Sequence, residues 1–209
     1  MRNWAGNEAC VPVRFERPGS TDEVAGIVRA AHASGQRVKV IGAGHSFTPA
    51  AMTPGVLLSL ERMTAVRAVD RERQRVTVEA GITLRALADE LDAVGLSMPN
   101  LGDINVQSVA GAIATATHGT GRAWGNIATT IVGIELVDGV GDVVWCDETS
   151  EPDLWRVARV GLGALGVVTA VTIECVPAFN LHAVESIEPL DDLLADLDGF
   201  ALSADHAEF

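Results

Sequence analysis

Apolar residues recur with a helical period early in the chain and are followed by a strand pattern and a glycine-rich loop. Four of them, spaced i, i+3, i+4 and i+7, share one face of a predicted helix: Val24, Ile27, Val28 and Ala31. Ser20 and Glu23 form a capping box at its start, and Gly35 is placed to end it. Residues 37–41 then predict a strand that leads directly into the loop at 42–46.

Later apolar runs predict further strands and two more helices. The strands cover residues 56–60, 75–80, 131–137, 143–145 and 167–176. One helix is capped by Thr83 and closed by Gly95, and its buried stripe is Leu84, Leu87, Ala88 and Leu91. The other covers residues 153–160. The chain therefore combines helices and strands along its length.

The last thirty residues differ in character from the rest. Residues 191–197 predict an acidic amphipathic helix outside the earlier pattern. We therefore expect one domain over residues 1–180, with residues 181–209 as the start of a second, truncated domain.

Composition and charge narrow the classes of partner. Of the 209 residues, 48% are apolar and 21% are charged, which is typical of a folded chain with a sizeable core. The net charge of −13 argues against nucleic acid or an anionic membrane as partner. Because Lys39 is the only lysine, a phosphate site would need backbone N–H groups, helix ends or arginine.

Cysteine usage and the start of the chain indicate a location. The chain has three cysteines that are far apart in sequence and form no CxxC pair: Cys10, Cys146 and Cys175. This pattern favours reduced thiols over a disulfide framework or a zinc site. The histidines show no metal-ligand spacing. The N-terminus lacks the apolar run of a signal peptide, and residues 160–173 are too few to span a bilayer. We expect a cytoplasmic protein with no metal and no transmembrane segment.

The first loop of chemical interest is Gly42-Ala43-Gly44-His45-Ser46, where a strand ends. Its glycines allow a sharp turn and close approach to a ligand, and successive N–H groups could converge on an anion. The alternative is an ordinary tight turn. The fingerprint of a nicotinamide dinucleotide site has a third glycine that opens a helix. Here the loop is followed instead by Phe47-Thr48-Pro49, so a nicotinamide site is disfavoured.

His45 has two interpretations that spacing alone does not separate. It can be a histidine hydrogen-bonded within a turn. Alternatively, its neutral imidazole lies beside the 8α-methyl carbon of a flavin and attacks it, which would raise the reduction potential of the cofactor.

The second region runs from Gly102 to Gly121, and nearly every side chain from Ser108 onward is small. A packed helix needs larger apolar residues, whereas a backbone lying against a flat ring and a diphosphate needs small ones. The alternative is a tightly packed Ala/Gly segment. His118 either orients this loop, contacts the cofactor, or is a structural histidine. A third glycine-rich stretch, residues 161–168, is weak evidence by itself.

Hydrolase schemes are disfavoured. Ser108 does not lie in a G-x-S-x-G elbow, since Val106 occupies the first glycine position. His45 and Ser46 are adjacent in sequence and cannot form a Ser-His pair from one extended strand.

Taken together, the three loops resemble the FAD-binding domain of the vanillyl-alcohol oxidase superfamily. More narrowly they resemble the aldonolactone oxidoreductases and alditol oxidases, a group that includes bacterial L-gulono-1,4-lactone dehydrogenases and D-arabinono-1,4-lactone oxidases. The matching segments are Asn3-Trp4, Arg17-Pro18 with the capping box, residues 42–47, 108–121 and 163–168. The resemblance implies an α+β fold of the PCMH type, with a small α/β subdomain and a mixed sheet flanked by helices.

The resemblance also implies a cofactor site for FAD, with a covalent bond to His45. The implied cofactor-binding residues are Gly42, Ala43, Gly44, His45, Ser46, Phe47, Gly102, Ser108, Gly111, Ala112, Thr115, His118, Gly119 and Val168. Residues 42–46 would hold the diphosphate, and Ser108 is also a candidate substrate contact.

The implied activity is that of an FAD-dependent oxidoreductase acting on CH–OH groups. It would oxidise a sugar lactone, such as gulono- or arabinono-1,4-lactone, or an alditol, passing hydride to flavin N5 and electrons to oxygen or another acceptor.

In that group a second domain carries a His-Trp-x-Lys motif, and no His-Trp occurs here. We therefore expect a truncated chain with an incomplete catalytic site. The alternatives are an inactive flavin-binding fragment, or a hydroxy-acid or alcohol oxidase of the same superfamily.

Overall fold

The computed structural model describes residues 1–209 and contains two principal sheets, each with its own apolar core. The small subdomain, residues 1–63, is built from three parallel strands in the order β1-β3-β2 and one long helix. Its elements are β1 (Arg14–Glu16), α1 (Thr21–Ala33), β2 (Val38–Val40) and β3 (Val56–Leu58).

Helix α1 begins and ends where the sequence predicts. The Ser20 hydroxyl accepts a hydrogen bond from the N–H of Glu23 at 3.2 Å, which satisfies one of the free donors of the first turn. The apolar face of α1 is buried against the parallel sheet. Gly35 adopts a φ of +66° just beyond the helix, a conformation that glycine adopts without strain.

The large subdomain, residues 64–177, is organised around a five-stranded sheet in the order β4-β5-β9-β7-β8. Its strands are β4 (Val66–Asp70), β5 (Arg75–Glu79), β7 (Ile131–Val137), β8 (Val143–Asp147) and β9 (Val167–Glu174). A separate pair joins β6 (Leu96–Ser97) to β10 (Val176–Pro177). Its helices are α2 (Leu84–Ala93), α3 (Val109–Ala114) and α4 (Pro152–Ala158).

The predicted α+β class and its two subdomains are confirmed, with one correction. The large sheet is antiparallel throughout, not mixed. Short turns explain two of the four pairings, since β4–β5 and β7–β8 are hairpins and such strands must run in opposite directions. The β5–β9 and β7–β9 pairings join strands far apart in sequence.

The core of the large subdomain consists of 21 buried residues from the sheet and its helices. Thr83 caps α2 by accepting from the N–H of Ala86, and α2 buries Leu84, Leu87 and Leu91. Ala88, predicted in the same stripe, is only half-buried. Helix α3 adds its own buried face to this core, which fixes its position relative to the sheet.

Glu135 on β7 joins the two subdomains through hydrogen bonds. One carboxylate oxygen accepts from the hydroxyl of Thr169 at 2.7 Å, from the hydroxyl of Thr21 on α1 at 2.8 Å, and from Arg67 at 2.9 Å. Burial acts to raise the pKa of Glu135, but these three hydrogen bonds outweigh it and lower the pKa below its ordinary value. Val137 and Val167 extend the small core across the same boundary.

The C-terminal segment forms two short helices where one was predicted. They are α5 (Leu190–Ala195) and α6 (Leu197–Ala201), separated at Asp196, and neither buries a residue. The domain boundary at residue 180 stays a prediction. None of the helices combines the length and apolar character needed to cross a membrane.

Candidate functional site

The three glycine-rich stretches of the sequence meet around one cavity of about 630 Å³. It lies where β2 and β3 of the small subdomain end and faces the large subdomain. Three segments line most of it: residues 42–47, residues 106–115, and residues 161–168 in part. Its volume lies within the range of about 300–1,000 Å³ usual for small-molecule sites.

The first wall is residues 42–47, which we call the histidine loop. It follows β2, and Gly44 adopts a φ of +72°, which a residue with a side chain would adopt only with strain. The backbone N–H groups of residues 42–46 donate to no acceptor in the protein. Consecutive N–H groups of this kind form a concave site suited to an anion.

The N-terminal segment holds the histidine loop from the outside. The side-chain amide of Asn3 donates to the carbonyl of Ser46 at 2.9 Å, and that of Asn7 donates to the carbonyl of Phe47 at 2.9 Å. The backbone N–H of Trp4 donates to the carbonyl of Gly44 at 2.8 Å. These contacts engage the carbonyl groups of the loop and leave its N–H groups without a protein acceptor.

His45 lies half-buried in the cavity wall with its ring stacked on Trp4. The ring centroids are 5.1 Å apart and the planes differ by 22°. The imidazole makes no hydrogen bond to the protein, so the interpretation of His45 as a histidine hydrogen-bonded within a turn is wrong. Both ring nitrogens retain their full capacity to interact with a ligand.

The second wall is Ser108 with helix α3, which we call the serine helix. Ser108 is the N-cap, and its hydroxyl accepts from the N–H of Gly111 at 3.3 Å. The argument from small side chains against a packed helix is wrong for residues 109–114. Val109 and Ile113, one turn apart, are fully buried in the core and supply the apolar volume. From this helix the cavity is lined by the small residues Ala110, Gly111 and Ala114, and by part of Ile113.

The two walls touch at one point. A Cβ atom added to Gly42 would lie 2.5 Å from the hydroxyl oxygen of Ser108, closer than real Cβ contacts. Glycine at position 42 therefore permits the histidine loop to approach the serine helix, and the two walls form a continuous surface.

Gln107 supplies a buried polar atom without a partner at this surface. Its side-chain Oε1 is inaccessible and accepts no hydrogen bond, although the residue lines the cavity. A buried acceptor left unpaired costs free energy, so a ligand that carries a donor would stabilise it once the side chain turns toward the cavity. A flavin ring has such a donor at N3–H, and its ribityl chain carries hydroxyls.

These features fit FAD. The N–H groups of residues 42–46 suit a diphosphate, the small side chains facing the cavity leave room for a flat ring, and the Gln107 acceptor suits a ring or ribityl donor. Lys39 is the only cationic side chain in the lining, so backbone groups must supply most of the anion binding.

The structure brings most of the predicted site residues to this cavity. Those that line it are Gly42, Ala43, Gly44, His45, Ser46, Phe47, Ser108, Gly111, Thr115 and Val168. Ala112 is fully buried in the core of the large subdomain and lies behind the wall.

The remaining predicted residues form a separate group beside the cavity. A Cβ atom on Gly102 would lie 2.8 Å from the carbonyl oxygen of His118, and one on Gly119 would overlap the carbonyl oxygen of Leu101. The exposed ring of His118 contacts the carbonyl of Gly119 at 2.9 Å. Close backbone approach between residues 100–102 and 117–120 accounts for the glycines here.

Sequence reasoning assigned no role to three contributors to the site, which are Gln107, Asn3 and Trp4. Gln107 precedes the small-residue run and has no motif of its own, so only its burial singles it out. Asn3 and Trp4 were noticed as part of a resemblance without a role, because their contacts with residues 44–46 join segments about forty residues apart.

Comparison with known proteins gives a consistent result. The family model described as the FAD binding domain matches residues 12–147, more than half of the chain. An L-gulono-1,4-lactone dehydrogenase of Mycobacterium tuberculosis is 42% identical over 207 residues, covering 99% of this chain and 48% of the relative.

Two eukaryotic relatives show the same pattern. An L-gulonolactone oxidase of Mus musculus is 38% identical over 209 residues, covering 100% of this chain and 48% of the relative. A D-arabinono-1,4-lactone oxidase of Eremothecium gossypii is 38% identical over 198 residues, covering 93% of this chain and 37% of the relative. The chain thus spans about half the length, or less, of these curated relatives.

Proposed function

Because this chain belongs to the FAD binding domain family, we propose that FAD occupies the cavity between the histidine loop and the serine helix. The single observation that supports this placement is that the N–H groups of residues 42–46, in a loop that lines the cavity, donate to no acceptor in the protein. We assign the diphosphate to these groups and the ring system to the surface formed by Ser108, Gly111 and Thr115.

The other predicted contacts have different roles in this proposal. Val168 meets the cofactor through its backbone, and Phe47, 66% exposed, covers the outer edge of the histidine loop. Gly102, His118 and Gly119 support the cavity from beside it, and Ala112 supports α3 from the core. Ser108 lies where the walls touch and is our candidate substrate contact.

We propose a covalent bond between His45 and FAD. A ring nitrogen of His45 forms a bond to the 8α-methyl carbon; the imidazole N–H and one methyl C–H are broken, and two protons with two electrons stay on the flavin, which is then reduced. A two-electron acceptor such as molecular oxygen takes them, becoming hydrogen peroxide and restoring the oxidised ring. The absence of competing hydrogen bonds to the imidazole supports this role.

For the protein of which this chain forms all or part, we propose oxidation of a CH–OH group in a sugar lactone or alditol. FAD supplies the hydride acceptor at N5. The similarity to gulono- and arabinonolactone enzymes supports this substrate class. The electron acceptor is oxygen or another small molecule. Since the chain spans about half of these relatives, an inactive flavin-binding fragment is the second candidate.

Three measurements test these proposals in order. In His45→Ala, where binding would be reversible, FAD supplied at about 100 times its Kd should produce a visible flavin band and raise the free energy of unfolding by about 2.7 kcal/mol. Acid precipitation should leave flavin fluorescence in the pellet, and His45→Ala should release it. Loss of all flavin in acid would overturn the covalent bond while leaving FAD binding intact.

Turnover separates the enzyme from the fragment. Gulono-1,4-lactone, arabinono-1,4-lactone, alditols and hydroxy acids should be compared with an artificial two-electron acceptor. Turnover of the lactones by this chain would refute the inactive fragment, and preference for a hydroxy acid would refute the lactone assignment. We retain the prediction of a cytoplasmic location, which is supported by the three free thiols and is tested by cell fractionation.

A further inference from the structure

The first ten residues form a closed hairpin, which we call the N-terminal hook. Arg2 and Ala9 form an antiparallel bridge, and Met1 and Cys10 exchange two hydrogen bonds, at 2.8 and 3.0 Å. The hook packs against the histidine loop and lies outside residues 12–147, which the family model matches.

Asn3 fixes the hook to the loop. It is a polar residue only 6% exposed, and its amide group is fully engaged in three hydrogen bonds. The Nδ2 atom donates to the carbonyl of Ser46 and to the side chain of Asn7, and Oδ1 accepts from the N–H of Glu8. Hydrogen bonds between buried groups favour one geometry, so these contacts fix the position of the hook against the histidine loop.

Trp4 is placed by this network directly over His45. Its backbone N–H donates to the carbonyl of Gly44, and its ring stacks on the imidazole with centroids 5.1 Å apart. The side chain of Phe47 meets the same indole edge-on at 6.5 Å. Trp4 nevertheless remains 68% exposed, so burial in a core does not explain the large apolar ring at this position.

We propose that Trp4 is a positioning residue that sets the plane of the His45 imidazole for flavin attachment. The stack limits rotation of the imidazole about its side-chain torsions, and no hydrogen bond to the protein fixes the ring plane. A nitrogen held at the correct distance and angle attacks far more often than one on a freely rotating ring. This inference rests on the proposed covalent bond to His45.

The test compares the rate of covalent attachment in four variants reconstituted with FAD from the apoprotein. Trp4→Ala and Trp4→Leu remove the aromatic stack, and Trp4→Leu retains apolar bulk. Trp4→Phe preserves stacking, and Trp124→Ala is a matched control in which another exposed tryptophan, outside the cavity lining, is removed. Acid-stable flavin is measured against total bound FAD over time, together with the Tm of each apoprotein.

We expect Trp4→Ala and Trp4→Leu to attach flavin about 10- to 100-fold more slowly while still binding FAD, since small errors in placement cost about this much. Trp4→Phe should restore most of the rate, and Trp124→Ala should match the wild type. Equal rates in the wild type and Trp4→Leu would overturn the inference while leaving the His45 bond in place. A wild-type chain without acid-stable flavin would instead overturn the covalent bond, and this inference with it.

Discussion

The two walls of the cavity are held in opposite ways. The serine helix is anchored from behind by apolar side chains in a core of 21 residues, with Ile113 only 1% exposed. The histidine loop has no such core behind it and depends on hydrogen bonds from Asn3, Asn7 and Trp4. One wall is thus fixed by burial and the other by directional polar contacts.

This difference suits the chemistry proposed for each wall. A surface that supports a flat ring needs only to stay in place, and close-packed apolar residues achieve that. A loop that presents N–H groups and a reactive imidazole must have defined orientation, which hydrogen bonds supply. Five experiments would break or sharpen this contrast, from the largest expected effect to the smallest.

Ile113→Ala should produce the largest effect, because it removes most of a side chain that is 1% exposed and packed in the core of the large subdomain. We expect the free energy of unfolding to fall by about 2–5 kcal/mol, measured by urea denaturation of the apoprotein. Ile104→Ala is the matched control, since Ile104 is 50% exposed and its loss should cost no more than about 0.5 kcal/mol. Similar losses in both variants would show that the serine helix is not anchored by the core.

Gly42→Ala tests the contact between the walls. The added methyl group would press on the Ser108 hydroxyl, so we expect a loss of about 1–3 kcal/mol in the free energy of unfolding, with weaker FAD binding. Ser108→Ala alone should cost about 0.5–2 kcal/mol through loss of the cap. The double variant should lose less than the sum, because the clash is removed. Strict additivity would contradict the contact.

Asn3→Ala should loosen the histidine loop alone. We expect amide hydrogen exchange at Trp4, whose N–H donates to the carbonyl of Gly44, to become about tenfold faster, equivalent to about 1.4 kcal/mol, while residues 109–114 keep their protection. Exchange monitored by NMR measures both regions in one experiment. Equal acceleration in both regions would contradict the separate anchoring of the two walls.

Glu135→Gln tests the junction that holds the walls together. Because the pKa of Glu135 is lowered in the folded protein, its ionised form contributes stability that is present above about pH 4.5 and is lost as pH falls through the folded pKa. The wild type should exceed the variant by about 1 kcal/mol at pH 7, and the difference should shrink below pH 4.5. Glu72→Gln, at an exposed position, is the control. A difference that does not change with pH would refute this role.

Thiol labelling compares the accessibility of the hook cysteine with that of the two core cysteines, and it does not depend on a change in stability. Burial, with the charges of Asp147 and Glu151, raises the pKa of Cys146 to about 11, and burial with Glu174 raises that of Cys175 to about 11. Cys10 lies half-buried in the hook. We expect a charged aromatic disulfide reagent to modify one thiol per native chain and all three in denaturant. Cys10→Ser should abolish the native reaction, and fast labelling that persists would contradict the buried placement.

Local signals explain which parts of the fold could be predicted from sequence. The cap at Ser20 and the cap at Thr83 each lie within a few residues of the helix they start, and both predictions are confirmed. Strands β1 and β4 were missed because their residues are mostly exposed or half-buried and show no apolar alternation. Helix α3 was missed although Ser108, Val109 and Ile113 carried its signal, a cap with apolar residues one turn apart.

The site divides in the same way. The histidine loop and the serine helix could be predicted as site segments from their many glycines and small residues, because close backbone approach requires small side chains. The role of the N-terminal hook could not be predicted from composition, because the hydrogen bond from Asn3 to Ser46 joins residues that are 43 positions apart in sequence. The close approach of Gly42 to the Ser108 hydroxyl could not be predicted either, because it depends on how the two subdomains meet.

The order of strands in the large sheet has a consequence for how the protein is made. Strand β5 pairs with β9, so that Arg75 meets Glu174 across 99 residues. On the ribosome, the small subdomain has all its strands early, while the sheet behind the serine helix lacks its central strand until residue 174 emerges. Pairings over such distances form slowly. We therefore expect FAD to be taken up only after β9 has been synthesised and inserted, late in the maturation of the chain.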